Sequence, residues 1–249
     1  MADPAPTRCK VCGAHDANLA GVVDFAKSCE DRNGLRLPVT GSPIYYRRCG
    51  QCGFLFTDAF DHWDREDFLG NIYNQDYGRV DPDYAGARAA ANAAMVRQLF
   101  GGSVINPAAL DYGGGDGSLA RILGESGFAV AHTYDPFVPE HATPPARRYN
   151  LVTCFEVLEH TPTPMETAAA IASFLDDDSM ILASTLLQPA GGADTDWWYV
   201  APRNGHVSLH TSHSLAHMWN SLGLSVGTLS DGFHVAFRKT PSFWPFGAA

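Results

Sequence analysis

Short apolar runs alternate with helical patterns through the second half of the chain. The apolar run 108–110 stops at a stretch of glycines, and a helical pattern begins directly after it at Ser118. Further apolar runs cover residues 128–134, 149–157 and 179–185. Strands that alternate with helices favour an α/β fold with a doubly wound parallel sheet.

The same pattern predicts the elements around these strands. An Ala-rich helix precedes the first strand, and Gly101 and Gly102 end it. A run of three aspartates after the crossover helix indicates an exposed turn, and the last two strands predict an antiparallel hairpin. The predicted segments are helices at 84–100, 165–175 and 212–222, a turn at 176–178, and strands at 224–229 and 234–238.

One connection is too short for a complete doubly wound sheet. Thirteen residues, 136–148, separate two predicted strands, and four of them are proline. A helix and a further strand need more residues than this, and proline disfavours both. We therefore expect the third strand and its helix to be reduced or missing.

The glycine stretch after the first strand is the main candidate for a ligand site. Asp111 stands at the strand end, and Gly113, Gly115 and Gly117 alternate after it. Glycine adopts positive φ and has no Cβ, so the backbone can approach a ligand closely, and the helix start offers unpaired N–H groups. No Gly-Lys-Ser/Thr sequence follows, which disfavours a Walker-type phosphate site.

An acidic residue follows the next predicted strand. Asp135 comes 20 residues after Gly115, and a carboxylate at that place can accept both hydroxyls of a ribose. The glycine spacing differs from Gly-x-Gly-x-x-Gly, so we favour a nucleoside held without a diphosphate. An NAD-type site and a purely structural turn are the alternatives.

These features resemble the class I S-adenosylmethionine-dependent methyltransferases. Residues 111–117 are similar to their first motif, Asp135 to their ribose-binding acid, and 156–160, Glu-Val-Leu-Glu-His, to the motif after their fourth strand. The resemblance covers about residues 105–185 and implies S-adenosyl-L-methionine as cofactor. The implied cofactor-binding residues are Asp111, Gly113, Gly115, Asp135, Phe155 and Glu156.

The chain departs from this family at the shortened connection, where the acidic residue that often binds the adenine amino group has no counterpart. By the same resemblance His160 lies near the transferring methyl group, and its pKa suits a general base. Alternatively, Glu159 and His160 only orient the loop. The second candidate base is His206, which follows a segment of mixed aromatic and polar residues at 191–205. Alternatively, His206 is a loop histidine that bonds to the backbone.

The N-terminal region carries two Cys-x-x-Cys-Gly motifs. Cys9 and Cys12 form the first and Cys49 and Cys52 the second. Four thiolates close a tetrahedral shell with no open position, so we expect a structural zinc in a zinc-ribbon-like domain, with a redox pair or chance pairing as alternatives. Cys29 is expected not to be a ligand.

Composition and charge narrow the partners. The chain has 249 residues, 45% of them hydrophobic, and a net charge of −10. An acidic surface without a basic run disfavours nucleic acid as substrate. The first six residues lack the features of a signal peptide, and no apolar run is long enough to span a bilayer. We therefore expect no membrane partner and a cytoplasmic location.

Together these observations predict four regions. They are a zinc-ribbon-like domain at 1–60, an aromatic-rich linker and helix at 61–100, an S-adenosylmethionine-binding domain at 101–240, and a tail at 241–249. In the second region Tyr73 or Tyr77 either packs in the core or forms part of a lid over the cofactor, and the tail either packs on the domain or contacts another subunit.

We expect methyl transfer to the O, C or N of a small molecule, with sugar nucleotides and natural-product intermediates as the acceptors that the resemblance suggests. The alternatives are a non-catalytic cofactor-binding module that docks a protein, an RNA methyltransferase and an NAD-dependent oxidoreductase.

Overall fold

A computed structural model describes residues 7–84, 86–102 and 106–245 of the chain. The chain folds as two compact units, and both are discontinuous in sequence. The first contains the residues up to Pro82 together with Leu158–Ala168 and Thr185–Ser221. The second contains Asp83–Val157, Ala169–Ser184 and the residues from Leu222 onward. The first unit therefore includes segments far beyond residues 1–60.

The described residues form ten strands and six α-helices. The strands are β1 (Ala17–Asp24), β2 (Pro43–Cys49), β3 (Leu55–Thr57), β4 (Ala109–Tyr112), β5 (Ala131–Tyr134), β6 (Tyr149–Phe155), β7 (Leu175–Ser184), β8 (Ser208–Leu209), β9 (Ser225–Ser230) and β10 (Phe233–Phe237). The helices are α1 (Arg65–Asn71), α2 (Tyr77–Val80), α3 (Ala87–Phe100), α4 (Ser118–Glu125), α5 (Pro164–Ser173) and α6 (Ser212–Ser221).

The first unit is built on a four-stranded antiparallel sheet in the order β1-β2-β3-β8. The last strand joins the others from more than 140 residues along the chain, where Leu55 pairs with Leu209. The aromatic residues after the second Cys-x-x-Cys motif pack inside this unit: Phe54, Phe56 and Phe60 are at most 1% exposed. Packing is thus the main role of this aromatic segment.

The second unit is built on a six-stranded sheet in the order β5-β4-β6-β7-β10-β9. The first four strands run parallel, and β10 is antiparallel to both of its neighbours. Its core joins the strands to the helices, with Leu123 of α4, Val96 of α3 and Leu151 of β6 at 1% exposure or less. The predicted α/β class is confirmed, including the terminal antiparallel hairpin.

The shortened connection is also as expected. Residues 136–148 form only a 3-10 turn at Pro139–His141, so β5 is the edge of the sheet. One prediction was wrong in detail, because the three aspartates 176–178 belong to β7 and not to a separate turn. In the pairing of β6 with β7, Tyr149 lies opposite Leu175, but Leu151 lies opposite Met180. The residues of β7 between Leu175 and Met180 therefore bulge out of the ladder, and two of the three aspartates are exposed.

The tail packs on the second unit as far as it is described. Phe243 is 6% exposed and lies edge-on to Phe100, with ring centroids 5.9 Å apart. Trp244 packs against Phe237. Phe246, at the end of the tail, lies outside the described residues. The first six residues, on which the signal-peptide prediction depends, also lie outside them. Within the described ranges, no helix combines the length and the apolar character needed to cross a bilayer.

Candidate functional site

The glycine turn begins at the carboxyl end of β4, the second strand of the sheet. The N–H of Gly113 donates to the carbonyl of Tyr134, which joins the turn to β5. Gly113, Gly115 and Gly117 have φ of 73°, 56° and 77°, so all three need the left-handed conformation. A Cβ at Gly113 would lie 2.4 Å from Val157 Cγ2, whereas a Cβ at Gly115 would meet no atom of the described residues within 4 Å, apart from its two chain neighbours. The turn is therefore tight at its base and open at Gly115.

Asp135 lies directly against this turn. It follows β5, is 8% exposed, and its Oδ2 accepts a 2.9 Å hydrogen bond from the N–H of Gly115. Its Oδ1 accepts from the N–H of Phe137 at 2.8 Å. The structure thus brings the two predicted halves of the nucleoside site, Gly115 and Asp135, into contact at the carboxyl ends of neighbouring parallel strands, where α/β folds bind ligands.

Asp111 is buried beneath the turn. It pairs in register with Thr153 of β6 and Thr133 of β5, and its Oδ1 accepts from the Thr153 hydroxyl at 2.7 Å. Burial raises the pKa of Asp111 to about 7, against the opposing effect of the Thr153 hydrogen bond. A Cβ at Gly114 would lie 2.3 Å from Asp111 Oδ2, so this carboxyl also requires glycine at 114.

The raised pKa of Asp111 predicts a pH dependence of stability. The folded state holds this proton more tightly than the unfolded state, so the contribution of Asp111 to stability is fully present below about pH 4 and is lost as the pH rises through about 7. Asp111→Asn is expected to flatten this slope and, at about pH 8, to raise the free energy of unfolding by at least about 2 kcal/mol. Urea unfolding across this pH range checks it, with the exposed Asp116→Asn as control; equal slopes in wild type and Asp111→Asn would contradict it.

Phe155 and Glu156 stand at the end of β6, next to β4. Phe155 is 8% exposed. Glu156 has φ of 53°, unusual for a residue other than glycine. Its N–H donates to Ser184 Oγ at 2.9 Å, and this hydroxyl donates to Glu156 Oε1 at 2.8 Å. Two hydrogen bonds to one serine hold the strained backbone, and strain of this kind concentrates at functional sites.

His160 and His206 lie together in the first unit. Their ring centroids are 4.8 Å apart, with the planes at 79°. His160 is half-buried and its Nδ1 lies 3.2 Å from the Tyr73 hydroxyl. His206 is 4% exposed, and its Nδ1 donates to the carbonyl of Tyr199 at 2.8 Å, which fixes the proton of the neutral ring on Nδ1. The two candidate bases thus form one pair.

A carboxylate joins this pair. Glu159 is fully buried, and the Tyr199 hydroxyl donates to its Oε1. Glu159, His160 and His206 can each direct one ligand atom to a common point, since these atoms lie within 4.8 Å of one another. The set of two imidazoles and one carboxylate is suited to a metal ion as well as to proton transfer.

Arg203 and Asn204, which precede His206 in the sequence, have a structural role. Arg203 is 8% exposed and donates to the Ile72 carbonyl at 3.0 Å and to Asn74 Oδ1 at 3.1 Å. Asn204 donates to the Val80 carbonyl at 2.9 Å. These bonds hold residues 72–80 and so place Tyr73 beside His160, which gives Tyr73 a positioning contact.

The four cysteines of the two Cys-x-x-Cys motifs converge in the first unit. Their Sγ atoms lie within 4.8 Å of one another, with 3.6 Å between Cys9 and Cys52 and 3.5 Å between Cys12 and Cys49. The N–H groups of Gln51 and Cys52 point at Cys49 Sγ, at 3.4 and 3.5 Å. Contact with the Cys52 thiol, helped by N–H groups of the first motif, lowers the pKa of Cys9. Both the spacing and the thiol chemistry fit a tetrahedral metal ion, and Cys29 is outside the set.

Sequence reasoning did not identify several polar residues that hold the site. Thr153 lies in an apolar run of β6 and Ser184 at the end of an apolar run of β7, and the contrast of these hydroxyls with their neighbours was available as a signal. Gly114 stands between two glycines that were predicted. Tyr199 bonds Glu159 across 40 residues, and no local pattern indicates such a partner.

Comparison with known proteins identifies the domain. The family model described as a methyltransferase domain matches residues 84–229. The ubiquinone biosynthesis O-methyltransferase of Salmonella paratyphi A is 40% identical over 62 residues, and that of Bordetella avium is 41% identical over 69 residues. These matches span only about a quarter of the length of either relative, and 25% and 27% of this chain.

Solved structures share the fold at low identity. The 1,6-didemethyltoxoflavin-N1-methyltransferase of Burkholderia thailandensis, solved with S-adenosylhomocysteine, is 18% identical with a TM-score of 0.51, covering 77% of this chain and 97% of that one. The mitomycin 7-O-methyltransferase MmcR is 15% identical with a TM-score of 0.52, covering 72% and 61%. Since the family model covers more than half of the chain, the protein belongs to the methyltransferase-domain family and has the Rossmann-like fold of S-adenosylmethionine-dependent methyltransferases.

Proposed function

We propose that the protein transfers the methyl group of S-adenosyl-L-methionine to a small-molecule acceptor. The observation that carries this proposal is the hydrogen bond between Asp135 and the N–H of Gly115, because it places a carboxylate beside an open, left-handed glycine turn. Apart from its chain neighbours, the part of the chain that the structure describes has no atom within 4 Å of a Cβ at Gly115, so a nucleoside can approach closely there. The residues therefore fit the cofactor that the family uses.

The cofactor-binding residues that we propose are Asp135 for the ribose hydroxyls, the backbone of Gly113 and Gly115 for the amino acid part, and Phe155 and Glu156 at the border of the site. Asp111 supports the turn from below. S-adenosylmethionine would supply an electrophilic methyl: the acceptor atom forms the new bond to carbon as the carbon–sulfur bond breaks, and the sulfonium charge is lost. Alignment is then the main task of the protein, with removal of the acceptor proton for oxygen or carbon acceptors.

The structural metal that we propose is zinc, held by Cys9, Cys12, Cys49 and Cys52. A closed set of four thiolates has no position for substrate. Its role is to stabilise the first unit, whose sheet is only four strands wide.

We propose His160 and His206 as the residues that activate the acceptor. His160→Ala is expected to lower kcat by about 100-fold or more, since activation of an acceptor hydroxyl contributes about that much. The dissociation constant for S-adenosylmethionine should change by less than about twofold, because the proposed cofactor residues are untouched. The exposed His213→Ala is the matched control, and an unchanged kcat in His160→Ala would contradict the assignment.

The experiment that tests the function follows S-adenosylhomocysteine release with acceptor panels of phenols, sugar nucleotides and heterocyclic amines. Turnover with any of them in wild type supports methyl transfer. Tight cofactor binding without turnover on any acceptor class would favour a non-catalytic binding module. A salt-sensitive shift of RNA in a gel would favour an RNA substrate.

A further inference from the structure

We propose that Glu159, His160 and His206 together bind a divalent transition-metal ion, at a second site separate from the four cysteines. Three protein ligands of this kind leave coordination positions open, as catalytic zinc sites do, whereas the cysteine cluster is closed. The site would take water or an oxygen donor of a small molecule at the open positions. Its chemical use in the reaction rests on the proposed function, but metal binding itself does not.

The backbone is built to bring the two segments together. Glu159 and His160 lie on a 3-10 turn, Leu158–His160, and the N–H of Val207 donates to the Glu159 carbonyl at 2.8 Å. Gly205 has φ of 87°, and a Cβ there would lie 3.1 Å from His160 Nδ1. A side chain at 205 would therefore need the left-handed backbone and a shift of the imidazole by a few tenths of an ångström, so glycine suits this close approach best.

Both rings have a hydrogen-bond partner at Nδ1, and a neutral ring whose Nδ1 carries the proton has its lone pair on Nε2. The Tyr199 carbonyl can only accept, so in neutral His206 the lone pair is on Nε2. A metal ion at Nε2 of His160 requires its Nδ1 to carry the proton and to donate to the Tyr73 hydroxyl oxygen, 3.2 Å away. Metal-binding histidines have such a partner on the other ring nitrogen almost always, and it fixes both tautomer and ring orientation.

The carboxylate is held in a comparable way. Tyr199 donates to Glu159 Oε1, and the same residue bonds His206 through its carbonyl, so one tyrosine orients two of the three ligands. A fully buried carboxylate needs hydrogen bonds or positive charge to compensate its loss of water, and the Tyr199 hydroxyl supplies one such hydrogen bond. A divalent cation shared with two neutral imidazoles supplies that charge.

With the ion in place, the two imidazoles would activate the acceptor as metal ligands, in place of the candidate role as proton acceptors. A hydroxyl bound at an open position would release its proton to water at a lower pH than it does free in solution. The acceptor class that fits is therefore one with an ionisable or chelating oxygen, such as a phenol or a vicinal diol.

Zinc content tests the proposal. Purified wild type and variants are saturated with Zn²⁺, desalted, and measured by elemental analysis per protein molecule. We expect His160→Ala, His206→Ala and Glu159→Gln each to lose one equivalent relative to wild type. The double variant His213→Ala, His217→Ala removes two exposed histidines of α6 and should lose none.

Two further readouts keep the result clear. Circular dichroism establishes that each variant is folded, and the half-buried His160 serves where a buried variant fails to fold. The melting temperature of wild type should rise with added Zn²⁺ more than that of folded His160→Ala, since a ligand that binds only the folded state stabilises it. Equal zinc content in wild type and His160→Ala would overturn the metal site. Because no cofactor or acceptor is present, the result is independent of methyl transfer.

Discussion

Replacing Asp135 with alanine is expected to raise the dissociation constant for S-adenosylmethionine by about 100-fold or more. Without this carboxylate the ribose hydroxyls of the cofactor would lose their hydrogen-bond acceptor, and hydrogen bonds to charged groups contribute about 1.5–3 kcal/mol each. The N–H groups of Gly115 and Phe137 would also lose this acceptor, so the glycine turn is no longer held. Two such losses are enough for a change of about 2.8 kcal/mol.

A matched control lies in the same turn. Asp116 is exposed, and among the described residues its carboxylate accepts from Ser118 alone, at 3.0 Å from the N–H and 2.9 Å from the hydroxyl. Asp116→Ala should shift the dissociation constant by less than about threefold, since it costs only a helix-start hydrogen bond. Calorimetric titration of both folded variants decides the matter. Equal affinities of Asp135→Ala and Asp116→Ala would show that Asp135 does not bind the nucleoside.

Removing one cysteine of the cluster is expected to have the largest effect on stability. Structural zinc contributes about 10–16 kcal/mol to the folding of isolated zinc-finger peptides, and three remaining thiolates retain only part of it. Cys52→Ser should therefore lose bound zinc and lower the melting temperature by about 10–20 °C, equivalent to several kcal/mol in a chain of this size. Thermal unfolding monitored by circular dichroism, together with zinc analysis, measures both.

The control is another buried thiol of the same unit. Cys29 is 9% exposed and is not part of the cluster. Cys29→Ala should keep the zinc of the cluster and cost no more than about 1–2 kcal/mol, as a small buried truncation does. If Cys52→Ser and Cys29→Ala retain the same zinc and melt together, the four-thiolate site is wrong.

Local patterns predicted the parts of the site that depend on local geometry. The spacing of Asp111, the glycines and Asp135 was sufficient to place a turn between two strands and an acidic residue beside it, because strand ends of a parallel sheet meet at one edge. The short proline-rich connection predicted the missing third strand for a similarly local reason. The roles of these residues toward the cofactor stay predictions.

Long-range organisation was not available from the sequence. The strand Ser208–Leu209 pairs with Leu55–Thr57, although the two strands are far apart in the sequence. The first unit is therefore assembled from three separate stretches of the chain. Tyr199 and Glu159 are likewise brought together only by folding. The three aspartates in β7 form a bulge because the pairing register shifts, and register is set by both strands and not by either alone.

The most direct measurement is calorimetric titration of the folded protein with S-adenosylmethionine and, separately, with NAD⁺. The account predicts saturable binding of S-adenosylmethionine near one equivalent and no binding of NAD⁺ at the same concentrations, because a turn held by Asp135, with a glycine spacing that differs from Gly-x-Gly-x-x-Gly, suits a nucleoside without a diphosphate. Binding of NAD⁺ in preference to S-adenosylmethionine, or of neither, would contradict it.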